Sequence, residues 1–296
     1  MAAITGQEKI DLREAKGWRR TKNRTSTVLM VTAFVLALIP LVFVLITTVA
    51  KGISIISWSF LTQPIPPQVA PADQGGIGPA VLGTIEITAV ATAIAVPLGV
   101  LGAIYLNEYG GRGVLARLIA FFSDVMTGVP SIVMGLFLFS IWVLYFGFSG
   151  FAGALALAAL MLPIVIRSTD EMLKLVPNPL REGSYALGAT KARVTLTVVL
   201  PAAIGGIVSG ALLAVARAAG ETAPLLFTIL TVFTANPNVF SGPNTAIPAQ
   251  IFGNATSPYT GAQARAWGAA LTLIVIAFVL MIAARIITAR FTRFSR

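Results

Sequence analysis

Residues 182–201 read EGSYALGATKARVTLTVVLP. The pattern is that of two short helices about a glycine. Just upstream, Asn178 and Pro179 supply an N-cap and a first helical position. Gly188 suits a left-handed C-cap, and Thr190 can cap a second helix leading into an apolar segment. Long hydrophobic runs flank the stretch on both sides, so read from its residues alone it is a polar connector between two membrane-embedded segments.

Working outward, the 296 residues are 56% hydrophobic and 11% charged, against roughly 25% charged in a soluble domain. Several windows exceed about 18 apolar residues with few charges. The chain therefore reads as an all-α membrane protein. Six spans fit, over about 28–49, 80–105, 118–146, 152–167, 196–217 and 267–287. Pro97 and Pro163 fall inside the second and fourth, and Gly128 with Pro130 inside the third, where each removes backbone hydrogen bonds and favours a kink. Trp58, Trp142, Tyr145 and Trp267 lie near span ends, as interfacial anchors do.

The formal charge of +10 follows the topology and calls for no nucleic acid. Lys9, Arg13, Lys16, Arg19, Arg20, Lys22 and Arg24 precede the first span, and Arg285, Arg290, Arg293 and Arg296 close the chain. The positive-inside rule puts both tails in the cytoplasm. The same side then receives Arg112 and Arg117, and further on Lys174, Arg181, Lys191 and Arg193. Outer connections carry only Lys51 and Arg265. The expected organisation is a basic tail over 1–26, able to meet anionic lipid headgroups, and a membrane domain over 27–296. Its outer loops cover about 51–79 and 219–265. Within the second, AGETAPLLFTILTVF holds an apolar stretch too short to span, which suits a re-entrant or interfacial segment. The rest of that connection reads as an external loop, and its Asn254-Ala-Thr256 sequon arises by chance.

The chain has no cysteine and no histidine. That removes thiolate metal sites, catalytic thiols and the commonest general base, and argues against an intramembrane enzyme. No G-x-x-x-x-G-K-[ST] phosphate loop occurs either.

The opening stretch resembles the cytoplasmic signature of ABC-importer permeases. Glu182, Gly183, Ser184, Gly188, Val198, Leu200 and Pro201 fall at its positions without a gap, with Gly183 and Ser184 where the family carries alanines. The resemblance implies a type I permease architecture of six transmembrane helices with a coupling loop over about 176–197. Its helix would insert into a cleft on a separate ATPase, with Glu182, Gly183, Ser184, Gly188 and Pro201 as the coupling residues. It also implies two copies of that ATPase, which would bind ATP and Mg, and no cofactor in this chain.

Four further strings, GGIGPAVLGTIEIT (75–88), DVMTGVPSIVMGLF (124–137), MLPIVIRSTDEMLKLVP (161–177) and ARAAGETAPLLFT (216–228), are similar to the membrane-spanning permeases of bacterial phosphate ABC importers. The match is closer to the subunit carrying G-E-T-A-P-L. What this implies is half of a phosphate pore in the bacterial cytoplasmic membrane. A second homologous permease would complete it, served by an external phosphate-binding protein. Permeases for sulfate or molybdate share the coupling signature and remain the alternative. Arg167 and Arg217 take the family's phosphate-passing positions, with Glu221 and Thr222 beside Arg217. Glu86, Asp124 and Ser131 are further candidates.

The chemistry agrees. Guanidinium stays charged and meets phosphate oxygens bidentately, and intramembrane ionisable residues mark substrate pathways. Each arginine also has a structural reading. Arg167 can pair with Asp170 or Glu171 at helical spacing or snorkel to the inner face. Arg217 can pair with Glu221. The two are expected at different depths, Arg217 nearer the outside. Glu221 could accept the hydrogen bond that hydrogen phosphate, unlike sulfate, still donates.

Overall fold

The computed structural model describes residues 17–111 and 113–293; Lys9, Arg13, Lys16, Arg112 and Arg296, used above to assign sidedness, lie outside them. Among the described residues the chain is helical, with one isolated bridge between Ser149 and Gly242. The first helix, α1 (Gly17–Gly52), starts well before the apolar run. The reason is that Arg19, Arg20, Lys22 and Arg24 are strong helix formers, so part of the expected tail 1–26 is helical. A short α2 (Trp58–Thr62) follows, capped by Ser57 Oγ accepting from Phe60 N–H at 3.1 Å.

The helix α3 (Gly78–Ile104) runs through Pro97 uninterrupted and ends in a π-helical turn, Tyr105–Tyr109. The expected third span is two helices, α4 (Val114–Gly128) and α5 (Ser131–Leu138), bent by 110°. Val129 precedes a proline and is pushed to extended backbone, at φ −72° and ψ 126°. That forces a corner where the sequence suggested only a kink. A π-helical turn, Phe139–Val143, and a three-residue α6 (Leu144–Phe146) complete this arm. Counting the bent pair as one, six helical segments are long and apolar enough to cross a membrane.

The central helix is α7 (Gly150–Lys174), capped by Ser149 Oγ. It reaches about two turns beyond the expected end at Arg167. Two short helices, α8 (Asn178–Ala186) and α9 (Lys191–Val194), then a π-helical turn, Thr195–Val199, lead into α10 (Leu200–Ala219). The remainder comprises α11 (Ala223–Thr228), α12 (Ile247–Ala255) and α13 (Thr260–Arg293).

Between lipid-embedded helices there is no water to expel, so close van der Waals contact across small residues does the packing. Gly99 lies on Val165, and Gly153 on Leu225, Ile229 and Ile87, which sets α3 parallel to α7. Gly206 faces Met172 and Gly210 faces Ser168, which sets α10 antiparallel to α7. Ile87, Ala91, Leu157, Met161, Val165, Ala214 and Ile229 form the resulting core.

The segment expected as the second outer loop is more ordered than its composition suggests. Only six residues of the apolar stretch are helical, and α11 is folded back against α5 and α7, with Pro224 against Gly135. Carbonyls released at its end are met by neighbours: Thr228 O accepts from Ser149 N–H, and Ile229 O from Asn244 N–H. Irregular backbone at such a position is tolerated where protein supplies the donors. The segment read as an external loop contains α12, whose Ile247, Pro248, Ala249 and Gln250 are buried. Its first amide donates to Thr84 Oγ1 at 2.8 Å. Asn254 is 5% exposed, which closes the sequon to any glycan.

Arg265, expected as an outer-loop charge, is 1% exposed. Its guanidinium donates to the carbonyls of Ala70 and Pro71 at 2.9 and 2.6 Å, and to those of Pro67 and Gln68 at 3.3 Å. A proline-rich loop lacks the amides to bond its own carbonyls, and one arginine fork supplies them. Replacing Arg265 by methionine keeps the bulk and removes the donors. Leaving those buried carbonyls unmet should cost about 2 kcal/mol or more, seen as a lower unfolding temperature and new protease cleavage within 64–76.

Candidate functional site

The packing register places the intramembrane charges on a common depth scale. In the antiparallel α7–α10 pair, Ser168 meets Gly210 and Met172 meets Gly206. Arg167 therefore stands level with position 211, and Arg217 lies six residues further towards the C-terminal end of α10. At 1.5 Å per residue the offset is about 9 Å along the helix axis. On parallel α3, Ile87 meets Gly153, which sets Glu86 further along in the same direction. The charges thus form a series along the axis: Glu86, then Arg217 with Glu221, then Arg167 with Asp124.

Arg167 and Arg217 each face one carboxylate. Arg217 sits in the last turn of α10, where cations favour the helix dipole. Its Nε lies 3.6 Å from Glu221 Oε1, with side chains 69% and 21% exposed. Gly220 is the C-cap between them, so the pair bridges a helix end. Thr222 follows, and its carbonyl accepts from the amides of Leu225 and Leu226 at 3.1 and 3.3 Å. Arg167 pairs with Asp124 across the α4–α7 contact, and both side chains are about half exposed. The alternative pairing at helical spacing does not form. Asp170 is taken by Lys174 at 2.5 Å and by Asn107 Nδ2 at 3.4 Å. Ser131 opens α5 beyond the Pro130 corner, and Glu86 is half-buried with no ion pair among the described residues. Beside Arg167 opens a cavity of about 270 Å³ lined by Arg117, Ser123, Arg167, Asp170 and Lys174.

The coupling loop has the expected two-helix form. Gly188 has φ +80°, Ala189 N–H donates to Ser184 O and Gly188 N–H to Tyr185 O. This is a Schellman closure, and a left-handed position of this kind favours glycine. Thr190 Oγ1 accepts from Arg193 N–H as predicted. The start of α8 is shifted by one residue. Pro177 is the N-cap, and Asn178 Oδ1 accepts from Arg181 instead of capping the helix. Glu182 and Gly183 are exposed, nothing lies within 4 Å of a Cβ placed at Gly183, and Leu187 at the tip is 90% exposed. Pro201 stands in the first turn of α10.

Sequence reasoning missed a buried pair beneath this loop, Arg181 with Glu108, at 13% and 5% exposure and 3.0 Å. Its signal was a lone acid at the end of the second span, beside the residue that precedes the Glu182 signature.

The chain matches the family described as binding-protein-dependent transport system inner membrane component over residues 95–293. It is 45% identical over 276 residues to phosphate transport system permease protein PstA 1 of Mycobacterium tuberculosis, covering 91% of this chain and 89% of the relative. To PstA of Yersinia pestis it is 42% identical over 279 residues, 94% of each. A chain of a bacterial alginate ABC transporter superposes with a TM-score of 0.63 at 14% identity, over 92% of this chain and 96% of that one. The MetNI methionine ABC transporter, inward facing, superposes with a TM-score of 0.57 at 19% identity, over 72% and 94%. At such identities the structural likeness is one of fold.

The absence of native cysteine makes the register directly testable. Cysteines placed at 167 and 217 should not crosslink on mild oxidation, because that offset exceeds the roughly 7 Å limit on Cα separation.

Proposed function

The chain belongs to the binding-protein-dependent transport system inner membrane components and, among them, to the phosphate permeases, and from this we propose that it forms one half of the pore of an ATP-driven phosphate importer. It is a multi-pass permease of an ABC transporter. A second homologous permease completes the pore, two ATPase subunits that bind ATP and Mg seat on the coupling loops, and an external phosphate-binding protein delivers the substrate. Both termini are cytoplasmic in this reading, in keeping with the basic loops.

One observation carries the proposal: two guanidinium groups inside the spans, at different depths, each matched to a single carboxylate. A cation within a membrane span is disfavoured without an acceptor, and a carboxylate relieves that cost. Phosphate carries between one and two negative charges at neutral pH and presents oxygens in the geometry a guanidinium prefers. Asp124 and Glu221 act as stand-in anions while the path is empty. Arriving phosphate takes the place of Glu221 on Arg217 and is passed inward to Arg167, where it replaces Asp124. The cavity beside Arg167 gives it an exit towards the cytoplasmic side.

Glu221 also selects. Its carboxylate accepts a hydrogen bond from the remaining P–OH group, whereas a fully ionised oxyanion meets like charge. Thr222 and Ser131 offer hydroxyl groups along the path, and Glu86 stands at the outer end.

The test is uptake of labelled phosphate by the whole complex in liposomes. Arg217→Gln removes a charge-assisted contact of about 1.5–3 kcal/mol, so uptake should fall about 10- to 100-fold with assembly intact. Unchanged uptake in this variant would sink the assignment of the pathway. Labelled sulfate or molybdate entering in place of phosphate would overturn the substrate. Glu221→Gln should separately narrow the preference for phosphate over sulfate, read as the ratio of the two uptake rates.

A further inference from the structure

Arg181 sits immediately before the signature glutamate, yet its side chain turns away from the exposed face of α8 and into the protein. Its Nε and one terminal nitrogen donate to Glu108 Oε1 at 3.3 and 3.0 Å. The same terminal nitrogen reaches Leu173 O at 2.9 Å and Asn107 Oδ1 at 3.5 Å. The other donates to Val176 O at 2.5 Å and Asn178 Oδ1 at 3.4 Å. One planar group therefore joins the start of α8, the last carbonyls of α7 and the π-helical end of α3.

That π-helical turn receives three elements on three consecutive residues. Asn107 donates to Asp170 of α7, Glu108 binds Arg181 of α8, and the Tyr109 ring lies 5.1 Å beneath Lys191 Nζ of α9. A π-helical turn carries more residues per turn than an α-helix and recurs at functional positions. Asp170 in turn lies one helical turn from Arg167 on the unbroken α7.

We infer that the Arg181–Glu108 pair is the relay by which movement of the coupling helix reaches the end of α3 and, with it, the wall of the cavity beside Arg167. Covalent continuity takes the coupling loop into α10 at one end and, through residues 175–177, into α7 at the other. No such link reaches α3, whose terminal turn supplies Leu106 to that cavity and meets α8 through this pair. Arg181 is a positioning residue: it touches neither substrate nor the exposed face of α8. A lysine could hold the charge but could not reach the carboxylate and the carbonyls together, because it lacks the fork.

The inference rests on the proposed importer function, and the test separates the two. In the complete complex, Ala120→Cys introduces a single thiol at the cavity beside Arg167. Its modification rate is measured with and without ATP and vanadate. With Arg181 present the nucleotide should change the rate about fivefold or more. In Arg181→Gln and in Glu108→Gln the change should fall below about twofold, with Arg181→Lys between. ATP hydrolysis and the amount of assembled complex should stay near wild type, and phosphate moved per ATP should drop. A nucleotide response that survives in both variants overturns the relay. So does loss of complex with an unchanged response in what assembles, since that is a purely structural pair. A nucleotide response in a wild-type complex that imports no phosphate would overturn the assigned cargo and leave the relay standing.

Discussion

A guanidinium withdrawn from water, within a span or packed against a loop, cannot shed its proton and cannot be left without acceptors. Four arginines of this chain meet that constraint, each differently. Arg217 takes a carboxylate across a helix end, and Arg167 takes one from a neighbouring helix. Arg265 gathers four backbone carbonyls, and Arg181 combines a carboxylate with carbonyls at a helix terminus. They differ in enclosure. Arg265 and Arg181 are enclosed, whereas Arg167 and Arg217 are about half exposed or more and each pairs with a single carboxylate.

The fold exists to hold these groups at fixed depths. Glycines on α3, α7 and α10 let the backbones approach until side chains interlock, and a packed interface of this kind has a single register. That register, more than any one contact, separates Arg167 and Arg217 along the axis. The corner at Val129–Pro130 brings Asp124 on α4 to Arg167 and leaves α5 free to pack on α11.

Much of this was legible in advance. The six segments, the glycine closure of the coupling loop at Gly188 and the cap at Thr190 follow from local rules, since each depends on neighbours within about five residues. Legibility failed where partners are far apart in sequence. Asp124 and Arg167 are brought together by helix packing, as are Glu108 and Arg181. The α12 segment, NTAIPAQIFGNA in its surroundings, reads as loop because its asparagine, glutamine and threonine look solvent-directed. In the structure they are buried, and the α12 amide is met by Thr84 from a distant helix.

Composition and hydrophobic run length alone determined that the chain is helical and membrane-embedded. That property is additive along the chain, so a linear reading recovers it. Which acid neutralises which arginine, how far apart the arginines stand, and whether Arg265 faces water or a proline-rich loop were decided only by the tertiary structure. A buried charge is stabilised by whatever acceptor packing brings within about 3–4 Å, and sequence spacing does not encode that distance.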